Sequence, residues 1–202
     1  MLKLRKIAIT GGVASGKTSV CRFFQELGAF AVNSDAIVHE LLSSSTDLGR
    51  EIIREFGPSI LQDGKIDRRL IAKMAFENPK ELEKLEKLLH PAVLQRIEDL
   101  YEMARGKGTF TLFVVEIPLL FEIKGESFYD SVVTVLADEE MARKRFQKQG
   151  FNPEEYDRRM RRQLTPKQKA IQSQFIIHNN GSLDDLKKEV EKLNQKLMSV
   201  SQ

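Results

Sequence analysis

Along the chain, short near-continuous apolar runs alternate with longer stretches in which apolar residues recur every three to four positions. The first pattern fits strands covered on both faces, and the second fits helices with one buried side. Five runs read as strands: Ile7-Ala8-Ile9, Ala29 to Val32, Thr109 to Glu116, Ser131 to Leu136 and the shorter Phe175-Ile176-Ile177. Ser19 to Leu27 is compatible with a helix closed by Gly28. A second helix is expected from about Ala36, carrying Ile37, Val38, Leu41 and Leu42. From Ser43 to Arg105 the pattern is helical, with turns at Ser43 to Asp47, Gly57-Pro58 and Asp63-Gly64 and no strand. Within it, Asn78-Pro79 followed by Glu81 marks a helix start, and Leu82, Leu85, Leu88 and Leu89 share one face. That helix is expected to stop at His90, because proline disfavours a helical conformation in the residue before it. The last helix takes Ser182 as cap and Asp184-Asp185 in its first turn, then buries Leu186, Val190, Leu193 and Leu197.

Strands alternating with helices predict an α/β fold with a parallel sheet. Its 202 residues suffice for one sizeable core with inserted lobes, but not comfortably for two independent domains. We expect one domain over 1–202, with a core of about 1–34, 106–140 and 170–202. A helical substrate lobe occupies about 35–105 and a helical lid about 141–169.

The net charge of +3 does not argue for a nucleic-acid partner, and none is expected. The single cysteine, Cys21, excludes an intrachain disulfide and reads as a small buried apolar residue of a reducing compartment. The N-terminal residues lead directly into the first strand, and no apolar run approaches the ~20 residues of a spanning helix. A soluble, cytoplasmic protein with no membrane contact is expected, as a monomer or a small homo-oligomer.

Chemistry enters with Gly11-Gly12-Val13-Ala14-Ser15-Gly16-Lys17-Thr18, which fits G-x-x-x-x-G-K-[ST] between the first strand and the first helix. Glycine lets the backbone approach a phosphate, and the helix start, including Ser19, offers unpaired N–H groups and a positive dipole end. Lys17 can then reach the β- and γ-phosphates of a nucleotide, and the Thr18 hydroxyl can ligate Mg2+. Asp35 lies at the carboxyl end of the second strand, either near the ligand crevice or simply as cap of the next helix. Glu116 ends another strand, either as a second acid near magnesium or as a solvated end residue. Arg68 and Arg69 either meet an anionic substrate or pair with Asp67. His90 is more naturally structural. Residues 143–169 hold ten lysines and arginines against three acids, which suits a lid closing over phosphates.

The chain resembles the dephospho-CoA kinase family from Ile7 to about Leu186. Thr10 to Lys17, Val32-Asn33-Ser34-Asp35 and Phe56-Gly57 carry the resemblance, followed by Gly64 to Arg68 with Leu70. His90-Pro91, Pro118 to Glu122, Arg159 with Gln163, and Asn179-Asn180-Gly181 continue it in order. The resemblance implies a P-loop NTPase-type three-layer α/β/α fold with a five-stranded parallel sheet. It implies phosphorylation of the ribose 3′-hydroxyl of dephospho-CoA by ATP, the last step of coenzyme A synthesis. It gives catalytic roles to Lys17, Asp35 and Arg145, nucleotide contacts to Gly11 through Ser19, and metal ligation to Thr18. Substrate contacts are implied for Asp35, Arg68, His90, Leu119, Glu122 and Arg159. The chain departs from the family at three places. Asn33 stands where the family commonly has a first aspartate, Gln149 replaces a second lid arginine, and Ser173-Gln174 replaces an Ala-Asp pair.

Overall fold

Arg5–Gly11 form β1, whose Ile7, Ala8 and Ile9 are all fully buried, as an unbroken apolar run requires of a strand covered on both faces. The computed structural model describes residues 4–199. Its elements continue as α1 (Lys17–Glu26), β2 (Phe30–Asn33), α2 (Ser34–Leu41), α3 (Asp47–Phe56), β3 (Leu61–Gln62), β4 (Lys65–Ile66), α4 (Arg68–Glu77) and α5 (Pro79–Lys107). They end with β5 (Leu112–Glu116), β6 (Ser131–Leu136), α6 (Glu139–Lys148), α7 (Pro153–Met160), α8 (Pro166–Gln172), β7 (Phe175–His178) and α9 (Leu183–Ser199). The main sheet is parallel and five-stranded in the order β2-β5-β1-β6-β7, so β1 is its middle strand.

The chain divides into two compact units, 1–32 with 104–202, and 33–103. In the first, alternate strand residues on one sheet face (Ile7, Ile9, Leu112, Val114, Val133, Val135, Ile177) pack against Val20, Phe23 and Phe24 of α1. Leu186, Val190, Leu193 and Leu197 of α9 join the same core, the heptad-like spacing having put all four on one stripe. Thr134 points from β6 to the other face, where its hydroxyl bonds that of Ser173 at the end of α8 (2.6 Å). Helices on both faces make the three layers. Beyond β6, Ala142, Phe146 and Tyr156 of α6 and α7 form a small separate core together with Met160 and the loop residues Val13 and Ala14.

The second unit is built on Leu42, Ile52, Phe56, Ile60, Ile66, Ile71, Ala75 and Leu85. Three expectations are corrected in or beside it. The stretch expected to lack strands contains the antiparallel pair β3–β4, closed by Asp63 and Gly64 at φ 51° and 73°. An Asp-Gly pair tolerates such angles and favours a tight hairpin, but strands of two residues carry no readable alternation. The helix expected to end at His90 runs on through Pro91 to Lys107. Buried residues on both sides of the proline, Leu85 before it and Ile97, Tyr101 and Ala104 after it, outweigh the one lost helical hydrogen bond. Finally, Asp35 does not cap α2. Asn33 does, its Oδ1 accepting from the Ala36 N–H at 2.9 Å, which moves the helix start to Ser34 and Asp35 into the first turn. Asn33→Ala should therefore lower stability by about 1 kcal/mol in urea unfolding, while Asn33→Asp should cost much less.

Candidate active site

The turn after β1 depends on backbone that only certain residues allow. Gly11 has φ 144°, and a Cβ there would lie 2.3 Å from the Val135 carbonyl oxygen. Gly16, at φ 99°, precedes α1 and would set a Cβ 2.1 Å from Asn179 Nδ2. Ala14 is also left-handed, at φ 53°. The loop delivers the chain into α1 with no side-chain cap on its first turn, so the N–H groups and dipole of that turn can face an anion.

Lys17 is 8% exposed, and its ammonium donates to the carbonyls of Gly11 (3.2 Å) and Gly12 (2.8 Å). Its charge is thus held against the loop rather than in bulk water. Parallel pairing sets Ile9 of β1 beside Glu116 of β5. From the first turn of α1 the Thr18 hydroxyl donates to Glu116 Oε1 at 3.0 Å. Glu116 is 6% exposed, which removes the solvated-end alternative. A hydroxyl and a carboxylate converging beside a phosphate loop offer the hard oxygen ligands that Mg2+ prefers. Among the described residues no group of three His, Cys, Asp or Glu side chains could hold a metal. Close by, burial first and the Glu116 charge second push the Cys21 thiol well above its usual range, so it behaves as an inert apolar group.

Arg145 reaches the same region from α6. One terminal nitrogen donates to Asn179 Oδ1 (3.3 Å), while the other, NH1, is buried with no hydrogen-bond partner. Asn179 Nδ2 in turn donates to the Ser15 carbonyl at 2.7 Å. A buried guanidinium N–H without an acceptor is costly unless an anion completes it. Arginine is also the side chain whose donor fork matches phosphate oxygens.

The remaining residues singled out in the sequence fall in varied settings. Glu122 Oε1 accepts from the Leu164 N–H (2.7 Å) and pairs with Lys169 (2.9 Å), whose side chain is fully buried. Lys169 also donates to the Pro118 carbonyl, which accepts from Thr10 Oγ1 as well. Burial draws the Lys169 ammonium below its ordinary range, and Glu122 opposes that shift. Arg159 is held by Glu155 and stands over the rings of Phe146 and Phe151, 5.3 and 4.9 Å from their centres. Arg143 likewise joins Glu139 and Asp157 over Tyr156. The aromatic residues of the basic segment thus lie beneath its own arginines. Leu119 is 41% exposed.

Asp35, Arg68 and His90 belong to the 33–103 unit. Asp35 is exposed in the first turn of α2, and His90 is half-buried in α5. Asp67 caps α4 by accepting from the Arg69 N–H (2.8 Å), so its carboxylate serves the backbone rather than the arginine side chains. A cleft of about 400 Å³ opens beside the hairpin and is lined by Arg69, not Arg68. Two residues were missed by sequence reasoning. Lys169 looked like one more lid cation, with no local sign of burial. Asn179 stood in a quoted motif, but its tie to Ser15 spans 164 positions and is invisible in one dimension.

Comparison with known proteins agrees with this geometry. The family model described as dephospho-CoA kinase matches residues 5–185. A dephospho-CoA kinase of Protochlamydia amoebophila is 44% identical, over 98% of each chain. A dephospho-CoA kinase structure from Campylobacter jejuni superimposes with a TM-score of 0.71 at 25% identity, over 98% of each chain. A Thermus thermophilus structure reaches a TM-score of 0.83 at 29% identity, covering 96% of this chain and 98% of that one. With residues 5–185 matched by the family model and nearly the whole length matched by a relative 44% identical, the chain belongs to the dephospho-CoA kinase family.

Proposed function

We propose that the protein transfers the γ-phosphoryl group of ATP to the ribose 3′-hydroxyl of dephospho-CoA, giving coenzyme A and ADP in the last step of coenzyme A synthesis. The observation that carries this reading is the half-buried Arg145, joined to the phosphate loop through Asn179 and keeping its buried NH1 for an incoming phosphate. Gly11 through Ser19 wrap the phosphates, and Lys17 leaves the loop carbonyls for the transferring oxygens. The acceptor hydroxyl attacks phosphorus while the bond to the β–γ bridging oxygen breaks, and the hydroxyl proton passes to Asp35 or to water. Because this transition state asks for positioning and charge neutralisation, Lys17 and Arg145 do most of the work.

A magnesium ion would be held by Thr18 Oγ1 beside Glu116 and would supply neutralisation of phosphate charge. Thr18→Val should raise the magnesium concentration needed for half-maximal ADP release about tenfold while the melting temperature stays near that of the parent protein. Unchanged magnesium dependence would remove Thr18 from the metal site.

The helical lobe, about 35–105, is assigned to the acceptor through Asp35 and Arg68, with His90 supporting it. The segment of about 141–169 is assigned as the lid. There Arg145 meets phosphate and Arg159 shapes the acceptor side, together with Leu119 and Glu122 from the loop after β5. No helix among the described residues is long and apolar enough to cross a membrane, and we place the enzyme in the cytoplasm. Incubation with magnesium-ATP and dephospho-CoA tests the reading: mass analysis should show coenzyme A, and its absence would overturn the assignment.

A further inference from the structure

Asn179 follows β7 directly, and its backbone N–H donates to the Leu136 carbonyl at 2.7 Å, which fixes it at the carboxyl end of the sheet. The residue is 5% exposed. Its carboxamide is used at both ends, as a donor to the Ser15 carbonyl and as an acceptor from Arg145. Gly16 leaves it room, since a Cβ there would lie 2.1 Å from Nδ2. No residue of the reaction as described above needs this side chain to touch substrate.

We infer that Asn179 is a positioning residue that sets the phosphate loop and Arg145 in register for the transferring phosphate. A trans peptide is planar, with its C=O and N–H pointing in opposite directions. When Nδ2 holds the Ser15 carbonyl, the N–H of Gly16 on the same peptide is turned away from Asn179. The opposite end of the carboxamide takes one nitrogen of Arg145 and leaves NH1 for the anion. One rigid group thereby fixes a backbone donor and a cationic donor relative to each other. The inference rests on the kinase reading for its substrate, but its first test needs no acceptor.

Asn179→Asp keeps an acceptor for Arg145 and sets a carboxylate against the Ser15 carbonyl in place of a donor, while the backbone bond to Leu136 is untouched. Asn179→Ala removes both ends. The affinities of both variants for AMP, ADP and ATP are to be measured by calorimetry with magnesium, beside melting temperatures. Asn180→Ala serves as the control, because Asn180 Oδ1 caps the Asp138 N–H in the same turn without touching the loop. Positioning predicts a loss that grows with phosphate count: little change for AMP and about tenfold or more for ATP, the worth of a hydrogen bond to a charged group. In turnover, kcat should fall more than the KM for acceptor. Equal loss for all three nucleotides, the same pattern in Asn180→Ala, or no loss would overturn the inference. A protein that binds nucleotides in the predicted order yet makes no coenzyme A would instead overturn the acceptor assignment alone.

Discussion

Lys17→Ala should reduce kcat at least about a hundredfold, the cost of removing one preorganised donor from a developing charge, with more expected because this donor is cationic. The side chain is buried, and its ammonium donates to two carbonyls of the phosphate loop itself, so its charge is placed at the loop. The strand and helix that frame the loop are held by Ile7, Ile9, Val20 and Phe24 in the main core, which the substitution does not touch. Circular dichroism and the melting temperature should therefore stay close to those of the parent protein, while single-turnover phosphoryl transfer collapses. A folded variant with ordinary turnover would remove Lys17 from the reaction.

The second large effect is expected at Asp35. Because Asn33 caps α2, replacing Asp35 by asparagine leaves the helix start intact and changes mainly the charge and proton affinity of one exposed group. General-base assistance is worth about 10² to 10⁴ in rate, so Asp35→Asn should lower kcat within that range while the KM for dephospho-CoA moves much less. The distinction is diagnostic, since an interaction made only in the transition state affects kcat, and uniform binding affects KM alone. A variant with raised KM and unchanged kcat would make Asp35 a binding group and leave the proton to water.

The phosphate loop was legible because its residues are contiguous and its setting, an apolar run before and a helix after, is local. The stripe of α9 was legible for a similar reason: Leu186, Val190, Leu193 and Leu197 announce one face by spacing alone. The hairpin β3–β4 was not, since two-residue strands have no period, and the passage of α5 through Pro91 depends on burial that propensity does not contain. Glu116 stood open between two readings until the fold buried it and set its carboxylate against the Thr18 hydroxyl. Lys169 and Asn179 show the limit most clearly. Their partners lie 47 and 164 positions away in the chain, at Glu122 and Ser15, so only the folded chain distinguishes a buried tie from a surface cation or a polar turn. The substrate reading came from an ordered set of family motifs rather than from any one of these contacts.

The most direct test of the account is ADP release from magnesium-ATP by the purified protein, run side by side with dephospho-CoA, with nucleoside monophosphates and with no acceptor. The account predicts release that requires dephospho-CoA and stays near background with the others. Release driven by a different acceptor, or none with dephospho-CoA present, would contradict it.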